Sequence, residues 1–221
     1  MGFGTDSQDV RIVGMKRAVA PPENYTPTVA ELDEARKRFL EYEPRDLFYR
    51  VASELIELAL TSKTSMTVAE ALAVLLQTWN AQYYQFRPFT LQHFADIETL
   101  LKKHLDDVLR FRSRSIESVS NSDVPIVEGL FNSFEQVLGP VGAAKSLHLL
   151  APKFLPLWDR AIARAYRCEL GNVGTNDANY SAFFLVAGLQ ARTLAATMPE
   201  EANLLKRIDE FNYCKHTKGW M

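Results

Sequence analysis

The chain has 221 residues, 47% of them hydrophobic and 24% charged, and a formal net charge of −2. This composition is typical of a globular protein, and the absence of an apolar run of about 18 residues excludes a membrane-spanning helix. The net charge disfavours nucleic-acid binding through overall charge, so contacts to phosphate would have to come from local basic patches.

The two cysteines, Cys168 and Cys214, are too few for a disulfide framework or a four-cysteine iron–sulfur cluster. The first 20 residues lack the apolar segment of a signal peptide, so the expected location is the cytoplasm. The four histidines show no spacing typical of a metal site. We therefore expect neither a metal nor a cofactor.

Helical periodicity dominates the chain after a proline-containing segment, residues 1–27, which is predicted to be a flexible N-terminal arm. Two Thr-Val-Ala-Glu capping boxes, beginning at Thr28 and Thr67, each predict the start of a helix. Further helices are predicted over residues 46–61, 67–79, 90–110, 124–138, 143–151, 159–168, 180–197 and 200–214. Because strand signals are almost absent, residues 28–221 are predicted to form one all-α domain of about eight to ten helices, arranged as two lobes with a cleft.

The most informative segment is a glycine-bearing turn, Leu-Gly-Pro-Val-Gly at residues 138–142, predicted to join two helices near residues 126–151. Backbone N–H groups at the start of the second helix can bind a phosphate without any side-chain charge. Asp159 follows Gly142 by 17 residues and stands at the start of the next predicted helix. An ordinary turn and an ordinary N-cap are the alternatives, but the combination is more specific than either part.

This order of motifs resembles the helix-hairpin-helix DNA glycosylases over roughly residues 67–168. In that family, a helix ends in a polar loop that inserts into DNA, another ends in a glycine-aromatic-basic run, and the hairpin and a catalytic aspartate follow. The matching segments here are residues 75–80, 109–115, 138–146 and Asp159. Proline stands where the hairpin's first glycine is expected, and the connector to the aspartate is shorter. These departures suggest a distant branch without an iron–sulfur cluster.

The resemblance implies a monomeric enzyme that flips a damaged or modified base out of double-stranded DNA and hydrolyses its N-glycosidic bond, leaving an abasic site. Asp159 would stabilise the positive charge that develops on the sugar and would activate water. DNA repair and antiviral defence are the expected settings, and hypermodified cytosine in phage DNA is one candidate substrate.

Lys145 is the less favoured catalytic candidate. Bifunctional members of the family place a Schiff-base lysine two residues after the second hairpin glycine, where Ala144 stands in this chain. One residue turns a helical side chain by about 100°, so a phosphate contact or a solvated lysine is the preferred interpretation of Lys145. The enzyme is therefore expected to be monofunctional.

The other candidates fall into two groups, each with a structural alternative. The expected DNA contacts are Gly139, Val141, Gly142, Ala144, Lys145, Arg110, Arg112, Arg114, Gln77 and Asn80. The expected base pocket is aromatic and consists of Trp79, Tyr83, Tyr84 and Trp158, with Phe86 in the same aromatic run. A solvated face balanced by Asp106 and Asp107 is the alternative for the basic segment, and it is at least as favoured for Lys102 and Lys103 upstream of the arginines. The aromatic run equally fits packing at a helix end.

Two other functional classes fit the sequence. One is a non-catalytic helix-hairpin-helix module that only binds nucleic acid, and the other is an α-helical interaction domain whose hairpin is only a turn. A binding module has no need for an acid beside bound phosphate, so Asp159 discriminates against it. Steep loss of affinity with salt discriminates DNA binding from the interaction domain.

Overall fold

The computed structural model describes residues 26–61 and 63–221, which form nine α-helices and no strand. The all-α prediction is therefore confirmed for this part of the chain, whereas residues 1–25 of the predicted arm lie outside it. The helices are α1 Val29–Tyr42, α2 Asp46–Leu60, α3 Val68–Trp79, α4 Ala81–Phe86, α5 Leu91–Arg112, α6 Val124–Leu150, α7 Arg160–Ala165, α8 Asp177–Ala195 and α9 Leu204–Asn212. Among the described residues, no helix is both long enough and apolar enough to cross a membrane.

Both predicted capping boxes are present and fix the starts of α1 and α3. Thr28 Oγ1 accepts a hydrogen bond from the Glu31 amide at 3.2 Å, and the Glu31 carboxylate accepts one from the Thr28 amide at 2.9 Å. The same reciprocal pair joins Thr67 and Glu70, at 3.2 and 2.6 Å. Each box satisfies two backbone donors that a helix N-terminus leaves free.

Helix α6 lies at the centre of the core and packs against α5 and α8, while α2 packs against α3 and α1 against α9. Its buried Phe131 stacks on Tyr180 of α8 with ring centroids 4.1 Å apart, and Trp158 meets both rings edge-on. This aromatic cluster holds the segment before α7 against α6, which fixes the position of the neighbouring Asp159.

The structure shortens the predicted four-residue hairpin between two helices to a kink at one residue. Element α6 consists of two helical segments, residues 124–138 and 140–150, which meet at Gly139, whose dihedrals of φ 69° and ψ 167° are not helical. Pro140 follows at the first position of the second half of α6 (residues 140–150), where a fixed φ and a missing N–H are tolerated. Val141 and Gly142 therefore belong to the helix after the kink rather than to a loop.

Other elements also differ from the predicted boundaries: α7 ends at Ala165 rather than at residue 168, and α8 spans Asp177–Ala195 rather than residues 180–197. The short helix α4 was not predicted, because six residues are too few to display helical periodicity. Helix α9 begins at Leu204 rather than at residue 200, because Asn203 caps it by accepting from the Lys206 amide at 3.1 Å. A π-helical turn, Tyr213–Lys218, continues the chain after α9.

Candidate active site

A pocket of about 800 Å³ lies beside the kink of α6. Its wall is built from the α1–α2 connection, the α3–α4 junction, the kink, the start of α7, and α9 with the turn after it. This volume is in the range of small-molecule and nucleobase sites, roughly 300–1,000 Å³. The pocket therefore brings together segments that are far apart in the sequence.

The kink itself forms part of the pocket wall, through residues 139–142. A Cβ atom on Gly139 would lie 3.0 Å from Cε2 of Tyr83, and the φ of 69° independently favours glycine there. A Cβ atom on Gly142 would lie 3.1 Å from the Cβ of Leu138 and 3.4 Å from Nδ2 of Asn80. Both glycines thus allow α3, α4 and α6 to approach closely at the pocket.

Asp159 lines the pocket as the N-cap of α7. Its Oδ1 accepts hydrogen bonds from the amides of Ala161 and Ile162 at 2.8 and 2.9 Å, and its Oδ2 accepts one from the Thr217 hydroxyl at 2.9 Å. Three donors suit a negatively charged carboxylate and hold its plane in one orientation. The side chain is half-buried, so it remains accessible from the pocket.

Lys145 also lines the pocket and has no ion-pair partner among the described residues. Its Nζ donates to the carbonyl oxygen of Trp79 at 2.6 Å and to Oδ1 of Asn80 at 3.4 Å, and lies 5.1 Å from the Trp79 ring centroid. Burial, followed by the charge of Arg45, lowers the pKa of Lys145 to about 8, and the charge of Asp159 opposes this decrease. The amine is thus easier to deprotonate than a solvated lysine.

The pocket wall also holds Asp209 of α9, a carboxyl group that was not among the predicted site residues. Only 6% of the residue is exposed. Burial raises the pKa of Asp209 to about 7; the charge of Lys206 opposes this increase and nearby acids reinforce it. One signal in the sequence could have identified it, since an acid next to Ile208 on the apolar face of an amphipathic helix is unusual.

Two buried donors on residues of the pocket wall have no hydrogen-bond partner among the described residues: Asn80 Nδ2 and Trp158 Nε1. Both residues belong to the predicted set. Buried polar atoms without a partner are rare in folded proteins. Both atoms are covered by neighbouring protein atoms, so a ligand in the pocket would reach them only after the wall moved.

Of the four aromatic residues predicted for the base pocket, Trp79, Tyr83 and Trp158 line the pocket. Tyr84 does not; it is buried and shares a hydrogen bond of 2.9 Å with Nε2 of His93. Phe86 lines the pocket at its edge and is 82% exposed. An aromatic residue this exposed is available for contact with a partner.

Several predicted DNA contacts lie outside the pocket wall. Gln77 is exposed on α3, and Ala144 is completely buried. Arg110 is exposed and makes a loose ion pair of 3.9 Å on its own helix. Arg112 and Arg114 are engaged in bonds within the protein. The structure therefore does not place these five residues together with Asp159.

No protein-family model, curated protein or solved structure gives a significant match to this chain. Within residues 26–61 and 63–221, no group of three or more His, Cys, Asp or Glu side chains is arranged to hold a metal ion. The functional interpretation therefore rests on the geometry of the pocket and on the order of the motifs.

Proposed function

We propose that the protein is a DNA glycosylase and that the pocket beside the α6 kink receives a base flipped out of double-stranded DNA. The observation that carries this proposal is that Asp159, Lys145 and residues 139–142 line one pocket together with Trp79 and Tyr83. Under this proposal, the kinked α6 acts as the helix-hairpin-helix motif, and the pocket is the cleft between two lobes. A phosphate would bind at the start of the second half of α6.

The chemistry follows from the positions of the pocket groups. Breaking an N-glycosidic bond builds positive charge on the sugar, and a fixed carboxylate such as Asp159 stabilises that charge without reorganisation. Trp79 and Tyr83 supply aromatic faces against which an extruded base can stack.

The surroundings of Lys145 support a catalytic amine more strongly than its position in the sequence does. Because Ala144 is fully buried outside the pocket wall, Lys145 is the residue at this level of α6 that lines the pocket. With its pKa lowered to about 8, about a tenth of the amine is neutral at pH 7. A neutral amine can attack the C1′ carbon and form a Schiff base, as in bifunctional glycosylases.

A panel of duplex oligonucleotides, each carrying one modified base, tests the proposal. The panel comprises uracil, 8-oxoguanine, hypoxanthine, ethenoadenine and glucosylated hydroxymethylcytosine, the last because the pocket has room for a base with an added group. Release of one base by the wild type, detected as an alkali-labile abasic site, is the expected result. Salt-dependent duplex binding without release of any base would instead support the non-catalytic module.

A further inference from the structure

We propose that Asp209 is a second catalytic carboxyl group of the pocket, the acid that protonates the departing base while Asp159 acts on the sugar. This inference rests on the proposed glycosylase function and adds the source of the leaving-group proton. It assigns different tasks to the two carboxyl groups, which lie on different elements of the pocket wall.

Asp209 differs from the other charged residues of α9 in having neither an ion pair nor a side-chain hydrogen bond within the described part of the chain. Lys206 pairs with Asp46 at 3.3 Å, and both Arg207 and Glu210 form ion pairs of their own. Those pairs tie α9 to α1 and α2. No described residue donates a hydrogen bond to the Asp209 carboxyl group or pairs with it, although the residue is 94% buried. A carboxyl group left without an internal partner in a pocket wall is available to a ligand.

The groups around Asp209 favour its neutral form. Burial has the largest effect, and it disfavours the charged form. The charge of Lys206 on the same helix opposes this effect, and three carboxylates from α9, the start of α7 and the start of α2 reinforce it: Glu210, Asp159 and Asp46. Tyr49 of α2 also interacts with Asp209. Burial, followed by the charge of the Asp209 carboxylate, raises the pKa of the Tyr49 hydroxyl. A neutral carboxyl group in an apolar wall can donate a hydrogen bond or a proton.

The proposed step balances as follows. The bond between C1′ and the base nitrogen breaks, and its electron pair leaves with the base. The Asp209 proton moves to a ring nitrogen or carbonyl oxygen of the base, and the resulting Asp209 carboxylate recovers a proton from water. The positive charge left on the sugar is stabilised by Asp159 and removed by attack of Lys145 or water. In enzymes with two catalytic carboxyl groups, the surroundings commonly keep one group protonated, so that it acts as the acid, and the other ionised, so that it stabilises positive charge.

The test compares wild type, Asp209→Asn and the matched exposed variant Asp106→Asn on the oligonucleotide of the panel that the wild type cleaves best. Asp209→Asn is expected to lower single-turnover base release by about 10²-fold while duplex affinity changes little, and Asp106→Asn is expected to match the wild type. The wild-type rate should fall above about pH 7 as Asp209 loses its proton. That decline should be absent in Asp209→Asn.

A duplex containing 7-methylguanine supplies a second arm, because this base is already cationic and departs without a proton. Where the wild type releases it, Asp209→Asn should release it at a similar rate. An equal loss on both substrates, or an unchanged rate and pH profile on the neutral base, would overturn the assignment of Asp209. Should Asp209→Asn fail to fold by circular dichroism, Asp209→Ser is measured instead. Failure of the wild type on every oligonucleotide would overturn the proposed function itself, so the two outcomes are distinct.

Discussion

The two ends of the second half of α6 are both surrounded by charged side chains, but they differ in how completely these side chains are partnered. At the C-terminal end, Arg112 donates to the carbonyl oxygen of Leu150 at 2.8 Å, and Arg114 forms two hydrogen bonds with Asp123. At the end beside the kink, Arg45 pairs with Glu43 and Lys206 with Asp46, but within the described part of the chain Lys145 has no carboxylate partner and Asp209 has no hydrogen-bond donor. Paired charges hold elements together, whereas unpaired charges in a pocket wall are available for binding and catalysis.

The substitution Asp159→Asn tests whether the end beside the kink is catalytic, and we expect it to have the largest effect on base release. Asparagine keeps an oxygen that can cap α7, so the fold and duplex affinity should be retained. Base release should fall by 10²-fold or more, because the charge that stabilises the sugar is gone. Single-turnover release and duplex binding are measured together, with Asp106→Asn as the control. Near-normal release by Asp159→Asn would contradict the assignment.

The substitution Lys145→Met tests the proposed catalytic amine, because methionine keeps the approximate length of the side chain and removes the amine. Borohydride reduction during base release should trap a covalent complex with the wild type, and the yield should be highest between about pH 7 and pH 8, where Lys145 loses its proton while Asp209 still keeps part of its own. In Lys145→Met the trapped complex should decrease by about 10²-fold.

Lys153→Met is the matched control, because Lys153 is an exposed lysine outside the pocket wall. The variant Lys153→Met should give the same yield of trapped covalent complex as the wild type. If the wild type releases a base but gives no trapped complex at any pH, the enzyme is monofunctional and Lys145 serves as a phosphate contact. That was the interpretation favoured by the sequence.

Local sequence patterns predicted much of the fold. The two capping boxes specify the starts of α1 and α3, and both are formed. The kink of α6 was predicted as a loop because glycine and proline commonly mark loops. In the structure, Gly139 is the residue with non-helical dihedrals, and Pro140 begins the second helical segment. Sequence patterns could not distinguish these cases, because both residues are compatible with a turn and with a helix start.

The pocket was predicted only where its groups lie close to a motif in the sequence. Asp159 follows the kink at a recognisable distance, and the structure places both in one pocket wall. Arg45, which helps to lower the pKa of Lys145, comes from the connection between α1 and α2. No local pattern links it to Lys145. The arginines of residues 110–114 were predicted as DNA contacts from their charge and from their place in the order of motifs, and neither feature indicates whether an arginine has an internal partner.

The substitution Arg114→Met tests the C-terminal end of α6, and we expect it to have the smallest effect on base release. Arg114 forms a bidentate pair with Asp123, at 2.6 and 2.9 Å, and its guanidinium lies 4.3 Å from the Phe154 ring centroid. Arg114→Met should lower the free energy of unfolding by about 2–3 kcal/mol, because buried Asp123 loses its cationic partner but keeps its bonds from Ser120. Urea unfolding measures this loss, and base release per folded molecule should not change.

Arg110→Met supplies the control for Arg114→Met, because its loose and exposed pair should contribute about 0–0.5 kcal/mol. The pH dependence separates the two further. Burial raises the pKa of Asp123, but the hydrogen bonds from Arg114 and Ser120 outweigh burial and hold the pKa below its ordinary value. The stabilisation is therefore present above about pH 4 and is lost as the pH falls below it. A variant Arg114→Met that unfolds like the wild type but no longer binds duplex DNA would show that Arg114 contacts phosphate, and the C-terminal end of α6 would then belong to the DNA-binding surface.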